Sequence, residues 1–79
     1  MKMKLLGSAI ANPTDNNITT AALVHVVATS AVTLTHKNVG GTTIGTIRIP
    51  AGGTIDLVKV STDTISCLTS FCTPIAYIS

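Results

Sequence analysis

The chain has 79 residues and a formal net charge of +2, with 46% hydrophobic residues and only 10% charged ones. That length holds one small domain, and so apolar a composition excludes intrinsic disorder. With five scattered Lys and Arg, one Phe, one Tyr and no Trp, it lacks the basic cluster and aromatic platforms of a nucleic-acid binder, and no apolar run approaches the ~20 residues of a membrane-spanning helix.

Thr, Ile and Val supply 30 of the 79 residues. Such β-branched side chains fit a pleated sheet and lose rotamer freedom in a helix, so strands are expected throughout. The opening Met1-Lys2-Met3-Lys4-Leu5-Leu6 followed by Ala9-Ile10-Ala11 has the outline of a short signal peptide. Its apolar stretch is brief and interrupted by Gly7 and Ser8, and it reads better as an ordered arm or first strand. Asn12-Pro13-Thr14-Asp15-Asn16-Asn17 is a polar loop in which Pro13 disfavours helix at Asn12. Asn17-Ile18-Thr19 matches a glycosylation sequon, which without a secretory route carries no meaning.

Ala22 to Ala28 is nearly continuous apolar sequence, the pattern of a strand buried on both faces. Thr29-Ser30 turns the chain. From Ala31 to Lys37 the pattern alternates, with Val32, Leu34 and His36 on one face and Thr33, Thr35 and Lys37 on the other. Asn38 to Gly41 is a turn, and Thr43 to Ile49 a further strand in which Gly45 marks a bulge. Pro50-Ala51-Gly52-Gly53 makes the next turn. Thr54 to Val60 alternates again, placing Ile55, Leu57 and Lys59 opposite Asp56, Val58 and Val60. After Ser61-Thr62-Asp63 come a short strand at Thr64 to Ser66 and a last one at Pro74 to Ile78. Periodicity leaves Cys67 to Cys72 open between a loop and one helical turn. Turns at this spacing indicate an all-β, single-domain β-sandwich or compact barrel of about six to seven antiparallel strands, spanning residues 1–79.

Chemical groups are sparse. The carboxylates are Asp15, Asp56 and Asp63, with no Glu. Asp15 and Asp63 stand beside turns, where they cap backbone amides, and Asp56 is expected to face solvent. His25, in the most apolar strand, is read as a neutral imidazole held by a backbone hydrogen bond, with a polar interface contact as the alternative. His36 is read as a surface residue. No local motif sets a nucleophile beside either histidine, and no enzyme activity is expected. Gly40-Gly41-Thr42-Thr43-Ile44-Gly45 echoes a dinucleotide fingerprint, yet it leads into β-branched residues instead of a helix, so these are turn glycines. Cys67 and Cys72 could form a hairpin disulfide if their Cα atoms approach to ~5.5 Å. Such a bridge would close a tiny loop and add little stability, and the pair is read instead as two buried or semi-buried thiols made in a reducing cytosol. His25 and His36 lack zinc-type spacing to the cysteines, and no metal or cofactor is expected.

What remains is surface. A chain this small, short of charge and without staples gains stability by oligomerising, and a contiguous exposed apolar area marks an assembly face. The order of segments also resembles short virion structural proteins of tailed bacteriophages, notably those infecting cyanobacteria. The segments concerned are Leu6-Gly7-Ser8-Ala9, Ala22 to Val27, Gly41 to Ile47, Ile49 to Gly53, Thr62 to Ile65 and Pro74 to Tyr77. The chain departs from the pattern at His25 to Ala28 and at Cys67 to Cys72. The resemblance implies a non-enzymatic virion component, first a capsid decoration or cement protein that binds the major capsid protein or other virion proteins. The alternatives are a tail, neck, baseplate or fibre component, or a host β-domain that binds a ligand or protein. Made in the host cytoplasm, it would reside on the capsid surface as a homo-oligomer, a trimer among the options, with no nucleic-acid or membrane partner. The expected interface is residues 1–6, as an arm along a neighbouring subunit through Lys2, Met3, Lys4, Leu5 and Leu6, together with Arg48.

Overall fold

The computed structural model describes residues 2–78. They form eight strands: β1 (Lys2–Leu5), β2 (Ile10–Ala11), β3 (Leu23–Ala28), β4 (Val32–Lys37), β5 (Thr43–Ile49), β6 (Thr54–Val58), β7 (Thr64–Ser66) and β8 (Ser70–Ile78). Two antiparallel sheets face each other. One is five-stranded in the order β1-β8-β3-β6, with β2 also on β8, and the other is three-stranded in the order β5-β4-β7. The all-β sandwich is as expected, with eight strands in place of six or seven because the N-terminal stretch divides into β1 and β2.

Side-chain alternation builds the space between the sheets. Val24 pairs with Leu57 and Pro74, and Val26 with Ile55 and Cys72, so these residues share the inner face of the five-stranded sheet. Opposite them, Leu34 pairs with Ile47, and His36 with Ile65 and Gly45. Ile18, Val24, Val26, Leu34, Ile49, Ile65, Cys67 and Cys72 make the buried core. β3 is buried on that one face only, alternating between buried and half-buried positions. Its apolar outward residues, Leu23 and Val27, are what made it look buried on both.

Local sequence accounts for the joints. The β4–β5 hairpin turns at Gly41, whose φ of 86° suits a residue without Cβ. Where His36 pairs with Gly45 and Lys37 with Thr43, Ile44 is the extra residue, so the bulge lies on β5 beside Gly45. β5 crosses to the other sheet through a turn at Gly52, φ 76°, which the Gly52 N–H and Gly53 carbonyl tie to Ala28. β8 starts at Ser70, four residues before the expected strand, since Cys67 to Thr69 make a turn that ends at Thr69 with φ 50°. Pro74 sits within β8 because its carbonyl, and hence its missing donor, faces the edge where Leu6–Ala9 separates β1 from β2.

The polar loop acts as a cover. Asn16 exchanges both backbone bonds with Ile65, and the Cys67 N–H donates to the Pro13 carbonyl, so the loop lies along the free edge of β7. The Asn16 side chain then accepts from the Ile18 N–H at 2.8 Å. Ile18, Thr19 and Thr20 follow with φ between 50° and 57°. β-Branched residues adopt this left-handed region at a cost of ~1–2 kcal/mol each, which the complete burial of Ile18 helps to offset.

Candidate functional site

The outer face of the five-stranded sheet carries an apolar surface with a polar strip across it. Strand register places Thr54, Val27, Phe71 and Ala11 in one row, and Asp56, His25 and Thr73 in the next. Val58 and Leu23 continue on β6 and β3, beside Ile75 and Leu5, and then Tyr77 and Met3, on β8 and β1. Val58 is 76% exposed, Leu5 66% and Phe71 46%. Single exposed apolar side chains are ordinary, whereas a contiguous patch marks a contact surface.

The strip is held by charge-assisted bonds. His25 Nδ1 donates to Asp56 Oδ1 at 2.6 Å, and the Tyr77 hydroxyl reaches across β3 to donate to Asp56 Oδ2. These two donors, Tyr77 first and His25 second, hold the Asp56 carboxyl below its ordinary range despite a small opposing effect of burial. The same bond keeps the Tyr77 phenol above its own. The tie runs from β8 over β3 to β6, and Ile75, on the same face, is 2% exposed. His25 therefore has a carboxylate partner where a backbone bond was expected.

The second histidine is not at the surface. Its side chain is 14% exposed, and Nε2 donates to Asp63 Oδ2 at 2.9 Å. Asp63 also accepts from the Val60 N–H at 3.2 Å, the expected turn cap. Beside it Lys59 is buried, with Nζ donating to the Val60 and Ser61 carbonyls. Burial pushes the Lys59 ammonium down, opposed by Asp63. Asp15 accepts from Lys37 Nζ and from the Ser66 hydroxyl, both at 3.3 Å.

None of these groups assembles a reactive set. Among the described residues, neither imidazole is hydrogen-bonded to a Ser, Thr or Cys side chain, and no three His, Cys, Asp or Glu side chains gather as metal ligands. Cys67 and Cys72 are free thiols, both buried. Burial pushes the Cys72 thiol up to about 11, against a weaker lowering by the Ser70 hydroxyl, so it carries little thiolate at neutral pH.

The expected interface residues fall in two places. Lys2, Met3, Lys4 and Leu5 pair with Ile78, Tyr77, Ala76 and Ile75 of the same chain, and the Leu6 N–H donates to the Pro74 carbonyl. This segment is thus an edge strand of its own sheet, exposed at every position, and Met1 lies outside the described residues. Met3 and Leu5 share the apolar outer face, and Lys2 and Lys4 point the other way. Arg48 is on the other sheet, with Nη1 3.4 Å from the Thr33 hydroxyl. Phe71, Val58 and Tyr77 were missed by sequence reading. The available signal was that Phe71, Thr73, Ile75 and Tyr77 alternate as a single strand face.

A second apolar feature opens between the sheets, a groove of about 400 Å³ lined by Leu34, His36, Gly45, Ile47, Ile55 and Leu57 among others. Compared with known proteins, the chain matches no family model, no curated protein and no solved structure.

Proposed function

We propose that this protein is a non-enzymatic assembly subunit, a capsid decoration or cement protein that docks through the outer face of its five-stranded sheet and adds contacts to a shell. One observation carries the reading: Met3, Leu5, Val58 and Phe71 are all exposed on the outer face of a sheet that Tyr77 and Asp56 tie together. The resemblance of its segments to virion proteins adds the particle.

Docking of that kind needs rigidity more than chemistry. A patch already held in one geometry loses little conformational entropy on binding. Partner side chains would cover the apolar rows, while the His25–Asp56 strip offers polar contacts that fix register. A subunit that binds only the closed shell stabilises that shell by mass action.

The test compares phage particles with and without the protein. Particles lacking it are expected to rupture at lower temperature, and gel stoichiometry is expected to count hundreds of copies per intact particle. Equal robustness combined with failure to adsorb to cells would overturn the cement reading in favour of a tail or fibre role.

A further inference from the structure

The sandwich has four outer edges, and three of them are protected. β7 lies under the Asn12–Asn17 loop. The β1 edge is short and carries Lys2 and Lys4, and β6 carries Asp56 at its middle. Short edges, edge charges and covering loops are the usual means of preventing strand addition. β5 has the least of this protection. It is seven residues long, exposed from Thr43 to Arg48, and pairs on one side only, with β4. Its protections are the bulge at Ile44 near one end and the charge of Arg48 near the other.

The groove lies beside this edge. Ile47 pairs with Leu34 and so faces the space between the sheets, yet it is 45% exposed where Leu34 is 1% exposed. Ile55 and Leu57 across the gap are only half-buried. A Cβ built on Gly45 would meet nothing within 4 Å. The core is therefore open on this side, with a vacant space at Gly45 two residues from an exposed Ile47.

We infer that β5 pairs antiparallel with β5 of a second copy of this chain about a twofold axis at Thr46. That register sets Thr46 against Thr46 of the second copy and Ile47 over its Gly45, so each isoleucine occupies the space the other copy leaves vacant. A twofold contact requires this self-complementarity. Arg48 and its counterpart then stand ~14 Å apart along the strands, beyond the Debye length of ~8–10 Å. Moving the axis to Ile47 would bring the two arginines to ~7 Å and set Gly45 against Ile49, which is buried in its own core.

The resulting sheet would run unbroken through β7-β4-β5 of both copies. In plan the contact measures ~24 Å of strand by the 18 Å short axis of the molecule. That is less than the ~800 Å² per partner of a standard interface, so the dimer is reversible and concentration-dependent. The inference is independent of shell docking, since it uses the other sheet.

Sedimentation of the isolated protein from roughly 1 µM to roughly 1 mM is expected to show monomer passing to dimer. Gly45→Val fills the vacant space without backbone strain, so the monomer should be as stable or more so while dimerisation weakens roughly tenfold or more through overpacking. Thr46→Cys should cross-link readily under mild oxidant, because directly opposed residues have Cα separations of ~4.5–5.5 Å, whereas Ile44→Cys should not. Wild-type protein monomeric throughout that range would overturn the dimer, as would a folded Gly45→Val variant that dimerises normally. A dimer whose Thr46→Cys form fails to cross-link would overturn the axis.

Discussion

Ile65 and Ile47 occupy equivalent positions on either side of β4 and differ completely in exposure. Ile65 pairs with His36 and Ile47 with Leu34, so both face between the sheets. Ile65 is fully buried and Ile47 is 45% exposed. The difference comes from what lies across each. The Asn12–Asn17 loop and Ile18 close the β7 side, whereas among the described residues the edge strand β6 alone lies across from β5. Alternation assigns a side chain to a face, but burial depends on a further element arriving from elsewhere in the chain.

The largest expected effect tests this contrast directly. Ile65→Ala removes a side chain from a closed core and should cost ~2–5 kcal/mol, while Ile47→Ala in dilute, monomeric protein should cost less than ~1 kcal/mol. Urea denaturation of both variants measures it. Equal losses would mean that the groove is filled in the monomer and that the two sides do not differ.

A smaller effect concerns the outer face, where an exposed polar tie holds the strands together. Asp56 is held below its ordinary carboxyl range chiefly by Tyr77 and then by His25. A depressed acid contributes stability above its unfolded value, near 3.8, and that contribution is lost as pH falls through the lower folded value. Tyr77 is raised, so its contribution is present below 10 and is lost as pH rises through its folded value. Tyr77→Phe should therefore bring the Asp56 titration back toward the ordinary range, leaving a smaller shift due to His25. An NMR titration of the Asp56 carboxyl measures this, and an unchanged midpoint would show that the tie does not form.

The legible part of the fold was its local part. Val32, Leu34 and His36 share a face as their alternation indicates, and the irregularity signalled by Gly45 is real, displaced by one residue to Ile44. The start of β8 was not legible, because a buried serine after a left-handed Thr69 gives no boundary signal, although Phe71 and Thr73 extend the alternation of Ile75 and Tyr77. Contacts across the chain were also hidden. The partners His25–Asp56 and His36–Asp63 are separated by 31 and 27 residues, and strand order is needed to bring them together. Of the expected interface, Met3 and Leu5 lie on the exposed patch, but as part of a strand paired at home; Arg48 belongs to the other sheet.

The proposed docking through the outer face of the five-stranded sheet can be tested with Phe71→Asp. Phe71 is 46% exposed on that face, and its substitution should leave the sandwich folded. Binding of the variant to particles stripped of the native protein would be measured in competition with wild type. Near-complete loss of binding with an unchanged circular dichroism spectrum is expected. Binding at wild-type affinity by the folded variant would contradict it.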